Sequence, residues 1–418
     1  MKRILYGLCC LLLVLTFVVG VEAEEKTKIV VAGRLNHAER VAMWQRWVAD
    51  YNKAHPDVEV ELIHGGDNYY DNLLTWIAGG AAPDIMWMGA DVWRFVDVLL
   101  PLNDLYARDP VVREILPNLI QTYSWNGIIF CLPYGVNTHV MYYNQTIFNN
   151  QGITMKSNWT WDDAIQMGKK ATVDTNGDGT VDQWGMYIYN NNWAITYGGH
   201  VYTSDMRRVD IENKATATGL EIVMDISSGR NPIGFTQPTV YGGATNAVNG
   251  KIAMGHIGVW EVPTMLSQAS FEWDVTLFPS LMVEGKKYDT SVYSIESWAA
   301  YKGTKHPAEV EDFLSYLLSR ENMVEFAALG TVVPSQPRVA TQTFMTIKKP
   351  QHISVFAEAL NFWKQNPADH PAYPDLNWWN TGTWNKMADG EIPVATGLAD
   401  MARTLNQQLD EWYSRKGL

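Results

Sequence analysis

KIVVAG, residues Lys28 to Gly33, is a short β-rich run that ends in glycine, and the pattern just downstream of it decides the fold. Trp44, Trp47, Val48 and Tyr51 recur at i, i+3, i+4 and i+7, one stripe of an amphipathic helix that Pro56 ends. Val58, Val60 and Leu62 then alternate with Asp57, Glu59 and Glu61, which reads as a strand. A second helix is expected from about Tyr69 to Ile77, stopped by Gly79 and Gly80, and Asp84 to Met88 (DIMWM) is a third strand. The order β-α-β-α-β is that of an open parallel sheet. Such sheets bind ligands beyond the carboxyl ends of their strands. That rule singles out Arg34 and Asn36, His64 to Asp67, and Gly89 to Trp93. No GxGxxG or P-loop pattern follows any of these strands, so a nucleotide site has no support.

The chain has 418 residues, enough for two domains, and its 47% apolar and 18% charged content is that of an ordered globular protein. Met1-Lys2-Arg3, the apolar run Leu8 to Val19 and the exit Val21-Glu22-Ala23 read as a secretory signal peptide over residues 1–23. The mature chain is therefore expected to be exported, in the periplasm or at the cell surface. A net charge of −13 argues against nucleic acid and anionic membrane as partners. Cys9 and Cys10 leave with the leader. Cys131, between Phe130 and Leu132, reads as buried packing.

Further along, Val310, Phe313, Leu314 and Leu317 mark a helix after Pro307, and about Val394 to Tyr413 reads as another. DTNGDGTVDQWG, Asp174 to Gly185, carries oxygen side chains at alternate places: Asp174, Asn176, Asp178, Thr180 and Asp182. Gly179 holds the sixth place of a calcium loop, but the twelfth, where a bidentate Glu belongs, is Gly185. Two readings stay open. The loop either holds one structural calcium ion or is a polar turn knit by its own Asn and Asp side chains.

Five stretches, in order, carry a resemblance. They are IAGGAAPDIMWM (Ile77 to Met88), CLPYGVNTHVMYYNQTIF (Cys131 to Phe148), NWTWDDA (Asn158 to Ala164), NGKIAMGHIGVW (Asn249 to Trp260) and WAAYKGTKHPAEVEDFLSYLLS (Trp298 to Ser319). The chain resembles the extracellular solute-binding proteins of bacterial ABC sugar importers, the maltose-binding-protein-like family. The resemblance implies an α/β protein of the periplasmic-binding-protein type II fold, two lobes with a hinge and an interlobe cleft. It implies an N-terminal lobe of residues 24–136 and 292–335 and a C-terminal lobe of 137–291 and 336–418. The crossings are expected near Tyr134 to Thr138, Asp289 to Ser294 and Val333 to Pro337. It further implies a carbohydrate ligand, the membrane permease of an importer as partner, a monomer, no required cofactor and no catalysis.

Sugars present polar edges and C–H faces, so a site needs aromatic rings beside carboxylates and amides. Eighteen tryptophans make the first abundant. Trp260 falls where the resemblance places a stacking ring, after Gly258 at a bend. The other candidates are Asn36, Trp87, Asp91, Tyr134, Asn137, Trp193, Glu296, Trp298, Trp378 and Trp379, with Arg338 for an acidic sugar. Trp44, Trp47 and Trp76 read as core. The rival class is an exported glycoside hydrolase or lyase, but no pair of carboxylates is singled out and no HExxH or GxSxG occurs. An oligouronate or polyol is the alternative cargo.

Overall fold

A computed structural model describes residues 26–34, 38–66, 68–188, 192–227, 247–379 and 381–417. The leader of residues 1–23 and Asn36 lie outside the described residues. One nine-stranded sheet organises the chain. In chain order its strands are β1 (Thr27–Gly33), β2 (Val58–His64), β3 (Ile85–Met88), β4 (Leu132–Asn144), β5 (Trp184–Tyr187), β6 (Ile252–Gly258), β7 (Trp273–Thr276), β8 (Val292–Ala300) and β9 (Val333–Pro334). They lie in the order β2-β1-β3-β8-β4-β6-β5, with β7 and β9 also paired to β4.

The first three strands pair as the alternation predicts. β1 pairs in parallel with β2 and β3. Helix α1 (Ala38–Ala54) joins β1 to β2, and α2 (Tyr69–Ala78) joins β2 to β3. Trp44, Trp47 and Tyr51 are buried, each at most 3% exposed, because an i, i+3, i+7 stripe turns one helix face to the sheet. Val58 and Val60 are buried while Glu59 and Glu61 are exposed, the outcome expected of a strand with one covered face. Cys131 is fully buried, and burial pushes its thiol up to about 12, so it packs as a small hydrophobe.

Beyond β3 the sheet turns antiparallel: β8 pairs with β3 and with β4, and β4 with β6. The three segments where crossings were expected lie side by side. Gly135 and Val136 of β4 face Glu296 and Ile295 of β8, and also Pro334 and Val333 of β9. Gly135 is what permits this approach, since a Cβ there would fall 2.3 Å from Val332.

Two hydrophobic clusters flank the crossing. One gathers Ile29, Trp44, Leu73, Phe313 and Phe326, and runs on past the crossing strands through Val262, Phe344 and Phe356. The other gathers Trp159, Trp161, Leu220, Val223, Leu405 and Trp412. Its helices are Trp161–Ala171, Lys214–Ser227 and Val394–Lys416. Thr160 caps the first of these, its hydroxyl accepting from the Asp163 amide while the Asp163 carboxylate accepts from the Thr160 amide. No described helix is long and apolar enough to cross a membrane.

Candidate functional site

The carboxyl ends of β1 and β3 meet the crossing strands at a cleft with two chambers. The first, of about 380 Å³, is lined by Arg34, Arg40, Tyr70, Trp87, Asp91, Asn137, Trp260 and Glu296, among others. The second, of about 280 Å³, is lined by Trp193, Tyr293, Asn366, Asp369, Tyr373 and Trp379, among others. Ala90, Ser294 and Ile295 border both, so the chambers are adjacent. A larger cavity of about 810 Å³ lies against Trp93, Trp125 and Trp412. Its charged lining groups, Arg94, Asp97, Lys302, Asp375 and Lys416, are all exposed, so no buried charge is held inside it. The two-chamber cleft has the fixed polar groups a small-molecule site needs.

Glu296, on β8, organises the first chamber. Arg40 Nη1 donates to both of its carboxylate oxygens, at 3.2 and 2.9 Å. Asn137 Nδ2 donates to Oε1 at 2.8 Å, and the Tyr134 hydroxyl donates to Oε2. Burial alone would push this carboxyl up. The Arg40 charge and the bonds from Tyr134, Asn137 and Arg40 more than offset burial and hold it below its ordinary range. Arg40 is anchored in turn by Thr331, through Nε to the hydroxyl and Nη2 to the carbonyl, both at 3.0 Å. Trp87 donates its indole N–H to Tyr134 at 2.9 Å, which fixes the ring in the chamber wall. The Arg34 guanidinium lies 5.6 Å from the centroid of that ring. Asp91 is half-exposed and 3.5 Å from Arg94.

Trp260 follows β6 in a short 3₁₀ turn, Val259–Glu261. The bare Gly258 lets its indole fold back, because a Cβ there would sit 2.3 Å from the ring. Glu261 steadies the bend by accepting the Gly258 amide at 2.7 Å.

The second chamber is built on Asp369. The Tyr293 hydroxyl reaches both of its oxygens, at 2.8 and 2.7 Å, and the Asn366 amide donates to Oδ2 at 3.0 Å. Burial pushes this carboxyl up to about 7, against the pull of those bonds. Trp379 donates to the Tyr373 hydroxyl at 3.2 Å, and Trp193 packs 4.3 Å from Phe278.

Of the residues expected from sequence, the cleft brings together Trp87, Asp91, Asn137, Trp193, Trp260, Glu296 and Trp379. Tyr134 stands beneath it, 2% exposed, holding Glu296 and Trp87. Three expectations are corrected. Trp298 is core, 3% exposed and wedged between Trp44 and Tyr134 at ring distances of 5.3 and 5.5 Å. Trp378 is core too, 1% exposed, its indole donating to Tyr202 at 3.0 Å. Arg338 is exposed, beside Glu114 at 4.0 Å and away from both chambers.

Sequence reasoning missed Arg40, Tyr293 and Asp369. Arg40 had a signal: it sits four residues before Trp44 on the apolar stripe, where a charge needs a buried partner. Tyr293 and Asp369 had none, being an ordinary strand residue and a loop residue.

The acidic loop is closed on itself. Asp174 accepts the amides of Asn176, Gly177 and Gly179, Asn176 accepts that of Asp178, and Asp178 accepts that of Thr180. Asp182 takes the Thr175 amide and hydroxyl. Gly177 and Gly179 supply the left-handed turns, at φ 76° and 90°. Among the described residues no three His, Cys, Asp or Glu side chains gather as a metal site requires.

Comparison with known proteins fits this architecture. A family model described as bacterial extracellular solute-binding protein matches residues 36–324. An arabinooligosaccharide-binding protein of Halalkalibacterium halodurans is 30% identical over 173 residues, 38% of this chain and 37% of the relative. One of Bacillus subtilis is 27% identical over 211 residues, 43% of this chain and 46% of the relative. The chain thus aligns with less than half the length of these two curated relatives. Among solved structures, an ABC substrate-binding protein of Listeria monocytogenes in complex with cycloalternan superposes with a TM-score of 0.75. It is 17% identical, and the match covers 94% of this chain and 100% of that one. A maltose/maltodextrin-binding domain of Bdellovibrio bacteriovorus bound to maltotriose gives 0.72 at 17% identity, covering 93% and 100%. Those two likenesses establish a shared two-lobed fold, and the family match over residues 36–324 goes further: the chain belongs to the bacterial extracellular solute-binding protein family.

Proposed function

We propose that this protein binds a neutral sugar or short oligosaccharide in the two-chamber cleft, outside the cytoplasmic membrane. It then passes the sugar as a monomer to the permease of an ABC importer, without altering it. The observation that carries the reading is the convergence on one cleft of two kinds of wall. Aromatic faces (Trp87, Trp260, Trp193, Trp379) stand beside fixed donors and acceptors (Asn137, Glu296, Tyr293, Asp369). C–H faces stack on the first kind and hydroxyls bond the second. A neutral cargo is favoured over an oligouronate because the buried cation of the first chamber, Arg40, is matched by Glu296, while Arg34, also lining it, is exposed. The names of the arabinooligosaccharide-binding relatives support the class. A polyol is the second reading, favoured by a mannitol-binding protein of Pseudomonas aeruginosa that is 25% identical over 142 residues, 33% of this chain.

Non-catalysis rests on the family match, since the matched family is one of solute-binding proteins. The cleft's two carboxyls make cleavage the outcome to test, because Glu296 is held ionised while Asp369 is raised to about 7, the range of a general acid. A thermal-shift panel of arabinooligosaccharides, maltotriose and mannitol tests the assignment. The cognate ligand should stabilise by about 2.7 kcal/mol at a hundredfold excess over Kd. A panel with no shift, or mass spectrometry showing a cleaved sugar, contradicts it.

The Asp174 loop is inferred to be a polar turn and not a calcium site. Its acidic oxygens already bond the loop's own amides, and no acidic side chain from elsewhere completes a ligand set among the described residues.

A further inference from the structure

Behind the aromatic walls of the cleft lie two histidines that line neither chamber. His139 is in β4 and His256 in β6, and strand register sets His139 opposite Gly258. His256 is two residues from Gly258, which makes the imidazoles diagonal neighbours on one face of the sheet. They meet, with Nδ1 of His139 2.5 Å from Nε2 of His256. Both rings are buried, His256 completely. One proton between the two nitrogens satisfies both, whichever ring carries it. Burial pushes His139 down to about 3, so that ring stays neutral at ordinary pH.

Each imidazole also packs against a tryptophan of the cleft. Trp260, folded back over Gly258, meets His139 edge-on, with ring centroids 4.8 Å apart at 79°. Trp193 meets His256 at 5.7 Å and 76°. Phe278 closes that corner, 5.2 Å from His256. Trp260 walls the first chamber and Trp193 the second. A path of contact therefore runs Trp260–His139–His256–Trp193, from one chamber to the other through the core. Two aliphatic side chains could fill the same space, but they would leave ring orientation to packing alone. A buried hydrogen bond fixes it.

We propose that the His139–His256 pair is a positioning strut that sets the two stacking rings as one unit. The cleft then favours a glycan long enough to touch both rings over a single sugar resting on Trp260. The specificity half rests on the carbohydrate reading of the cleft. The strut itself does not.

The test uses three backgrounds: the native protein, His256→Leu and His256→Gln, whose amide can replace the imidazole nitrogen as donor or acceptor. In ligand-free protein, the indole N–H resonance of Trp193, assigned with Trp193→Phe, is followed by NMR as Trp260 is changed to Ala. The strut requires that resonance to move in the native and Gln backgrounds and to stay in place in the Leu background. A Trp193 signal indifferent to Trp260→Ala in native protein, or moving equally in all three, overturns the proposal. If His256→Leu fails to fold, His139→Leu takes its place. Calorimetry with arabinotriose and arabinose then reads specificity. His256→Leu should weaken arabinotriose about tenfold or more and arabinose less than about threefold, and the Gln variant should restore both. Equal weakening of the two sugars, or none, overturns the specificity half. If neither sugar binds native protein, the best glycan of the panel and its monosaccharide replace them, and a native protein that binds none of the panel ends the carbohydrate reading while the resonance test still decides the strut.

Discussion

The two chambers of the cleft each centre on a carboxyl, and the two carboxyls are shifted in opposite directions, Glu296 down and Asp369 up. Glu296 has a guanidinium, an amide and a phenol around it, and stays ionised below its ordinary range. Asp369 has a phenol and one backbone amide but no cation, and burial raises it to about 7. The difference lies in one residue, Arg40, which the first chamber has and the second lacks. The lesson is that a carboxylate in such a cleft is defined by its nearest cation more than by its depth. The first chamber holds a permanent negative charge whose acceptor sites are taken by Arg40, Asn137 and Tyr134. The second offers a group that can donate at mildly acid pH and only accept above neutrality.

Breaking the first chamber should have the largest effect. Glu296→Ala leaves Arg40 buried without a counter-charge, since its other bonds go to neutral Thr331. Loss of one partner of a buried pair costs about 3–5 kcal/mol, which denaturant melts should register as a large fall in midpoint. A variant as stable as the native protein would mean that Arg40 had found water.

Next comes the ring that separates site from core. Trp260→Ala should weaken sugar binding by about 2–4 kcal/mol, with little change in the unliganded melting curve. Trp298→Ala should do the reverse, losing about 3–5 kcal/mol of folding stability. Melting and calorimetry on the two variants check the contrast, and a Trp260 variant that melts much earlier yet binds sugar normally would return that ring to the core.

The second chamber is sharpened by pH. A carboxyl raised in the folded state gives stability that is full below its unfolded value near 4 and is lost as pH rises through about 7. Asp369→Asn should remove that contribution. Measured as native minus variant, stability should fall by ~1–3 kcal/mol between pH 4 and pH 7.5 and be flat above. A difference that stays constant with pH would show that Asp369 titrates normally. The smallest effect belongs to the Asp174 loop: a polar turn predicts the same melting temperature with and without a chelator. A drop reversed by calcium, and abolished in Asp178→Ala, would restore the metal reading.

Much of this was legible in the residues. Periodicity located α1 through Trp44, Trp47 and Tyr51, because a helix face must repeat every three or four residues. Alternation located β2. The rule for parallel sheets pointed to Arg34, to His64 to Asp67 and to Gly89 to Trp93; Arg34, Gly89, Ala90 and Asp91 line the first chamber, whereas His64 and Trp93 do not. Tryptophan sorting was harder. Trp378 and Trp379 are neighbours in sequence, yet one is core and the other lines the second chamber. Burial of an irregular segment is decided by distant partners such as Tyr202, and no local pattern encodes it. Asp369 was invisible for the same reason, since its meaning comes from Tyr293, 76 residues away. Arg40 was the readable omission, a charge on an apolar stripe.

On the proposed function, the cleft captures a carbohydrate and leaves it intact. One calorimetric titration of the native protein with the best ligand of the sugar panel tests it most directly, with the recovered sugar weighed by mass spectrometry. Native protein should show saturable one-to-one binding, lost in Trp260→Ala, and return a sugar of unchanged mass. A native protein that binds no sugar or polyol, or that returns a shortened glycan, would contradict it.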